Sequence, residues 1–395
     1  MAEMTSRARA LAALNHQEPD RVPIDIGGLV LYTCWHEMAD AQVKKHLGYQ
    51  EKKTALNSFI SRTVRPDQNI RDRFQTDFYG LGSNPPATWQ LELHQDEEGG
   101  SWFIDEWRCK WRCPPNGFYY DLVKHPLDGA TVADVARYKW PDPADPARLA
   151  GLADLAQDLY ENTDYCLCFT PIWSTGVFQV SGMLQGWENH YVNLIADRRV
   201  SQAIFDGLTE FNLGQLESIL DVVGDYIQVV NFSDDLGFQD RPMIRLSLFQ
   251  EMVKPCYRRM VDFVRVKAPH IKIVFHSDGA ITQFLPEFID LGLDAINPVQ
   301  VSCTGLDDTA KLKREFGDKL VFWGAGVDTQ ATLPNGTVED VQAEVKRRIS
   351  DLAPGGGYIF AAIHNVQFDV PPENIIACYD AAREFGKYPM AHGTT

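Results

Sequence analysis

The stretch Ile271-Lys272-Ile273-Val274-Phe275-His276-Ser277-Asp278-Gly279 sets the reading of the chain. Residues 271–275 are β-branched and aromatic at a density that predicts a buried strand. The strand runs into a polar tetrad, and residues 280–291 have helical spacing. A parallel-sheet enzyme places chemistry at such strand ends. Gly279 permits a sharp turn there. His276 and Asp278 are two apart, so an extended backbone points both to one side, where one metal ion or one polarised substrate atom can meet them. The plain alternative is a strand-end histidine satisfied by its neighbouring carboxylate.

The same alternation extends outward. Helix 146–160 precedes strand 165–169, helical segments over 177–220 precede strand 226–230, and helix 247–267 precedes strand 271–275. Helices 280–291, 307–316 and 337–351 precede strands at 295–300, 320–323 and 358–361, and a last helix covers 372–385. Earlier come a helix over 5–20, a strand from Val22 ending at Gly27-Gly28, a helix over 34–47 and a further strand within 50–90. Strands alternating with helices imply a parallel sheet with crossover helices. There are enough units for an α/β fold of the (β/α)₈ TIM-barrel type. Residues 99–126 break the pattern. They are aromatic-rich around Pro114-Pro115-Asn116-Gly117, which predicts an antiparallel β-hairpin inserted near the barrel mouth. The expected organisation is one barrel domain over 1–388, with an N-terminal extension, its main portion at 140–388, and a tail at 389–395.

Bulk properties narrow the function. A net charge of −17 argues against nucleic-acid backbone or anionic membrane as partner. No apolar run reaches the roughly 20 residues of a membrane span, and the N-terminus lacks a signal-peptide profile. The eight cysteines form no C-x-x-C pair and read as small buried hydrophobes in a reducing cytoplasm. No third glycine follows Gly324-Ala325-Gly326 at dinucleotide spacing, and no phosphate-loop or corrinoid-ligating motif is present.

The strand ends supply the candidates. Asp234 and Asp235 follow strand 226–230, Gln300 follows 295–297, Asp328 and Gln330 follow 320–323, and His364 and Gln367 follow 358–361. Each has a bland reading as a cap, turn former or satisfied polar group. Their accumulation at one end points to a polar, acidic site. Trp102, Trp107, Trp111, Tyr119 and Tyr120 of the hairpin are positioned to shield an apolar substrate or cage a cationic one.

At Asp234-Asp235-Leu236-Gly237, His276-Ser277-Asp278-Gly279, Asn297-Pro298-Val299-Gln300, Trp323 through Gln330, and Pro354-Gly355-Gly356-Gly357 through His364-Asn365-Val366-Gln367, the chain resembles the uroporphyrinogen decarboxylase superfamily. That group holds porphyrin decarboxylases and zinc-dependent, corrinoid-linked methyltransferases on a (β/α)₈ barrel. The resemblance covers about 140–388 well and the start loosely. Two departures matter. The arginine-rich segment with which porphyrin decarboxylases bind propionates is replaced by Gly27-Gly28-Leu29-Val30-Leu31-Tyr32-Thr33-Cys34-Trp35. Where the thiol-activating methyltransferases carry H-x-C-G and P-G-C-G, this chain has Asp278 and Gly356.

A His/carboxylate site therefore remains, suited to a divalent metal with zinc foremost. The expected ligands are His276, Asp278 and His364, with Asp235 a fourth ligand or an orienting group. Asp234, Asp235 and Asp328 are the expected catalytic carboxylates. Gln300, Gln330, Gln367 and Trp107 are the expected substrate contacts. The leading expectation is a cytoplasmic methyltransferase that takes a methyl group from a small O- or N-methylated compound and passes it to a separate corrinoid protein. The alternatives are a decarboxylase or lyase acting on a smaller carboxylic acid, with Asp234 or Asp235 holding a protonated intermediate, and a barrel that binds a small molecule without turnover. The family commonly pairs barrels, which would give a homodimer, while the sequence itself leaves the oligomeric state open.

Overall fold

Alternate residues of each central strand divide between two apolar layers, which is what a closed parallel sheet demands. A computed structural model describes residues 3–50 and 54–390. The inner layer holds Phe78, Cys166, Cys168, Val229, Val274, Ala295, Val321, Trp323 and Ile359. Their neighbours Val230, Phe232, Ile273, Phe275, Ile296, Phe322 and Phe360 pack outward against the helices.

Seven parallel strands form one curled sheet in chain order: Phe78–Gly82, Cys166–Thr170, Val229–Ser233, Lys272–His276, Ala295–Asn297, Val321–Ala325 and Tyr358–Ala361. Segment 22–25 lies between the two edges. The Asp25 N–H donates to Phe360 O and the Phe360 N–H to Pro23 O, while on the other side the Asp77 N–H donates to Ile24 O. The ring of strands is thereby closed, and the expected TIM-barrel-like architecture is what the chain adopts.

Helix Ser6–Leu14 presents Ala10, Ala13 and Leu14 to the inner layer at the end where the strands start. At that end Gly356 has φ +76°, and a Cβ there would meet the Gln17 backbone at 2.5 Å, so only glycine fits. All eight cysteines are buried and free. Among the described residues no helix is long and apolar enough to cross a membrane. Of the expected tail, residues 391–395 lie outside the described residues.

Two differences from the sequence reading bear on the site. The strand expected at 226–230 occupies Val229–Ser233. Polar Asn231 and Ser233 belong to it because they face the barrel interior near the mouth, where apolar character is not required. The insertion is also larger than a hairpin. It is a four-stranded antiparallel sheet of His94–Gln95, Ser101–Ile104, Lys110–Cys113 and Asp121–Lys124. The run 101–112 folds back on itself instead of forming one strand. Arg108 turns at φ +65°, and the Asp105 carboxylate accepts from the Cys109 N–H at 2.8 Å and Trp111 Nε1 at 2.8 Å. A short sheet of Trp35–His36, Leu56–Ser58 and Thr63–Val64 stands beside it.

Candidate active site

The inward parity of strand Lys272–His276 continues past its end. Val274 faces the interior, so His276 and then Asp278 follow on the same side. His276 is buried, and its Nε2 lies 3.7 Å from Asp278 Oδ2 and 3.8 Å from Asp235 Oδ1. The tetrad is held by a tight backbone crossing. Gly279 has φ +90°, and a Cβ there would lie 2.1 Å from Gly237 O. Across this crossing the Asp278 N–H donates to Asp235 Oδ1 at 3.0 Å and the Leu236 N–H to Ser277 Oγ at 3.1 Å. Gln300 Oε1 accepts from the Gly279 N–H at 2.9 Å, so Gln300 buttresses the turn.

Asn297, at the end of the adjacent strand, fixes the imidazole. Its Nδ2 donates to Trp323 O at 2.9 Å, which leaves Oδ1 facing His276 Nδ1 at 2.6 Å. Nδ1 is therefore the donor, and in the neutral ring the lone pair sits on Nε2, facing the carboxylates. Tyr32 stacks on the ring, with centroids 3.5 Å apart and planes 14° from parallel. His364 completes the group, its Nε2 3.7 Å from Asp278 Oδ2. Among the described residues, His276, Asp278 and His364 offer ligand atoms all within 4.8 Å of one another.

The charges are coupled. Burial and then the Asp278 charge push the Asp235 carboxyl up to about 6, with His276 pulling the other way. For Asp278 burial opposes ionisation, but His364 and His276 outweigh it and hold the carboxyl below its ordinary range. Burial also opposes charge on His276, yet Asp278 and Asp235 raise it. Burial lowers His364 despite Asp278.

The donor set fits a divalent ion. One imidazole with a preset lone pair, a carboxylate kept ionised, and a second imidazole are ordinary zinc ligands. Tetrahedral zinc sets its ligand atoms roughly 3.4 Å apart, close to the two 3.7 Å separations at Asp278.

Beside this group lies a cavity of about 460 Å³. Tyr32, Gln179, His364 and Asn365 line it with apolar Ile60, Trp111, Ile172, Trp173 and Met183, and with Arg65 and Thr170. Gln179 joins cavity to carboxylates, because its Nε2 donates to Asp235 Oδ2.

Other expected site residues stand elsewhere. Asp234 is fully buried and faces outward from the mouth. It accepts from the N–H groups of Val177 (3.2 Å), Phe178 (2.6 Å) and Gln179 (2.6 Å) and from Tyr257 Oη (2.9 Å), anchoring the start of helix Phe178–Gln185. Burial pushes its carboxyl up to about 7 against those donors. Asp328 closes a turn by accepting from the Gln330 and Ala331 N–H groups, and Gln330 is exposed. Gln367 accepts from Tyr119 Oη of the insertion and donates to Asn365 O at 2.8 Å. Trp107 is 1% exposed and packs edge-on against Phe211 within the core beneath the insertion. The insertion's tryptophan in the cavity is Trp111, three places beyond the turn at 105–108.

The sequence reading missed Asn297, Tyr32, Gln179 and Arg65 as site residues. Asn297 carried a signal, since it stands inside a matching motif at the inward parity of its strand. The others depend on early loops, for Tyr32 and Arg65, and on helix Phe178–Gln185, for Gln179, brought together by closure of the barrel.

A closed parallel barrel with ligand-competent side chains at the C-terminal ends of its strands has the architecture of a TIM-barrel enzyme. The family profile of Uroporphyrinogen decarboxylase (URO-D) matches residues 123–385, and the chain belongs to that family. It is 32% identical over 105 residues to a uroporphyrinogen decarboxylase of Psychromonas ingrahamii, covering 26% of this chain and 27% of that one. It is 28% identical over 133 residues to that of Vesicomyosocius okutanii, covering 33% and 35%. The matched stretches thus span only about a quarter to a third of these relatives. Over the full fold the chain is similar to a solved methyltransferase from Methanosarcina mazei, with TM-score 0.62, 15% identity, and coverage of 97% of this chain and 99% of that one.

Proposed function

We propose that this chain is a metal-dependent methyltransferase that demethylates a small O- or N-methylated compound and passes the methyl group to the cobalt of a corrinoid carried by a partner protein. One observation carries the reading: the Asn297 hydrogen bond leaves His276 Nε2 with its lone pair toward Asp278 and Asp235 at the edge of a largely apolar cavity. His276, Asp278 and His364 would hold the ion, with Asp235 as a further ligand or orienting group. Bound there, a divalent ion supplies Lewis acidity to the departing heteroatom.

The chain's own residues do the rest. Tyr32 covers the face of His276 and limits water access to it. Trp111, Trp173 and Met183 hold the apolar body of the substrate. Gln179 orients Asp235. The methyl transfers as a cation equivalent. The C–O or C–N pair stays with the leaving atom, cobalt(I) supplies the pair for the new Co–C bond, and the leaving atom takes up a proton.

A second reading has one observation in its favour. Asp235, pushed up to about 6, can hold a proton near neutrality and hand it to a carbanion, as a decarboxylase of a smaller acid requires. The two are separated by measuring zinc content and methyl transfer to cob(I)alamin in wild type, His276→Ala and Asp278→Ala. The methyltransferase reading expects stoichiometric zinc and methylcobalamin formation in wild type, with both lost in the variants. Equal zinc in all three proteins, or carbon dioxide release from an acid by the zinc-free protein, refutes it.

A further inference from the structure

We infer that the cavity selects a substrate carrying one negative charge, with Arg65 as the residue that binds it. The inference deepens the proposed function by naming the substrate class, and rests on that reading only for the reacting end of the molecule.

Arg65 is half-buried and lines the 460 Å³ cavity. Its Nε donates to Asn57 Oδ1 at 2.8 Å. Asn57 is itself oriented, since its amide nitrogen donates to Val30 O. The guanidinium is thus aimed, and its two terminal nitrogens remain for a further acceptor. Among the described residues no carboxylate pairs with Arg65, whereas Arg9, Arg21, Arg62 and Arg148 each have one. Withdrawing an unpaired guanidinium from water is unfavourable unless a partner arrives. Ser58, Ser61 and Ser83 line the same cavity and can complete the hydrogen bonding of an anion.

Charge balance at the other group strengthens the case. With a divalent ion bound as proposed, Asp235 and Asp278 would together neutralise it, and Arg65 would be the fixed positive charge left over among the described residues lining the cavity. A quaternary ammonium would be repelled by it. A bidentate anion such as a carboxylate matches the guanidinium fork. One guanidinium and walls of Ile60, Trp111, Ile172, Trp173 and Met183 suit a single anionic group on a flat apolar body.

Calorimetric titration of the full chain with matched probes tests this. The probes are 4-methoxybenzoate, 4-methoxybenzamide, 4-methoxybenzenesulfonate and 4-methoxyphenyltrimethylammonium. Wild type is expected to bind the carboxylate at least tenfold more tightly than the amide and to reject the ammonium. Arg65→Gln should erase the preference, and Arg65→Lys should retain part of it. A sulfonate bound more tightly than the carboxylate keeps the anion preference and changes the group named. An amide or ammonium bound as tightly as the acid, or a preference that survives in Arg65→Gln with intact thermal unfolding, overturns the proposal. Binding needs no turnover. An acid preference without methyl transfer would therefore remove only the function above, and methyl transfer without an acid preference would remove only this inference.

Discussion

Replacing Asn297 by leucine tests whether the site is built around one histidine tautomer. The substitution nearly preserves volume and removes two buried hydrogen bonds, one to His276 Nδ1 and one to Trp323 O. The abandoned carbonyl alone costs about 1–3 kcal/mol of folding stability. The more specific effect would fall on the proposed metal. Without an acceptor at Nδ1 the ring is free to carry its proton on Nε2, where the lone pair is needed. Loss of such an orienting partner weakens metal binding by about 10–100-fold, or about 1.4–2.8 kcal/mol. Zinc affinity is measured by competition with a chromophoric chelator, and stability by urea unfolding of the metal-free protein. Asn297→Asp supplies the control. Its carboxylate still accepts from Nδ1, so zinc affinity should hold, while its other oxygen faces the Trp323 carbonyl and lowers stability. Equal zinc affinity in wild type and Asn297→Leu, or equal loss in the Leu and Asp variants, would refute the tautomer argument.

Further outcomes follow from the same geometry. Asp234→Asn turns an amide nitrogen toward one of the donors that now meet the carboxylate, and should cost about 1–3 kcal/mol in urea unfolding while leaving zinc content unchanged; an inactive variant of wild-type stability would make Asp234 catalytic instead. Trp107→Ala should lose about 3–5 kcal/mol of stability, as large core deletions do, whereas Trp111→Ala should in addition weaken binding of an aromatic ligand in the cavity. Asp25 is pushed up to about 6 by burial, despite accepting from Gly28, Thr33 and Trp323. A raised carboxyl is protonated in the fold where the unfolded chain has already ionised, so its contribution falls as pH rises from about 4 to about 6, by about 3 kcal/mol in total. Denaturant titrations of wild type and Asp25→Asn across that window should diverge by this amount, and parallel curves would sink the assignment.

The barrel was legible because its signal is periodic. Strands of mostly apolar residues must bury both faces, and the helices between them announce themselves by spacing. The site was legible where parity carried it. From Val274 inward, His276 and Asp278 follow two by two, and from Val229 inward, Asn231, Ser233 and Asp235 do the same. That count also separates Asp235 from Asp234, which falls on the outward side and meets the start of a helix. Ending the strand at 230 hid the distinction, because polar Asn231 and Ser233 look like loop when their inward setting is unknown. Parity fails across turns. The insertion reverses at 105–108, so although Trp107 and Trp111 share one core cluster, Trp111 also lines the cavity and Trp107 does not. Tyr32 and Arg65 had no local signal. Tyr32 stacks on His276 and Arg65 shares a cavity with His364, both far along the chain, and only closure of the sheet by segment 22–25 brings the early loops over the late strands.

The two histidines are not equivalent as candidate ligands. At His276, Asn297 accepts from Nδ1 and so presets an open lone pair on Nε2. At His364, Nδ1 accepts from the Asn365 N–H at 2.8 Å, so the neutral ring carries its proton on Nε2, toward Asp278. That ring is set as a donor to the carboxylate. It becomes a ligand through Nε2 only when the proton leaves that atom and Nδ1 gives up the Asn365 bond. In the proposed metal site His276 and Asp278 would therefore form the standing part, and His364 the part that would answer to occupancy. The backbone matches this division. His276 ends a regular strand, while His364 sits at φ +64° in the turn after the last strand, where a side chain is held by local bonds instead of a ladder. Asp278 connects the two, lying 3.7 Å from each Nε2.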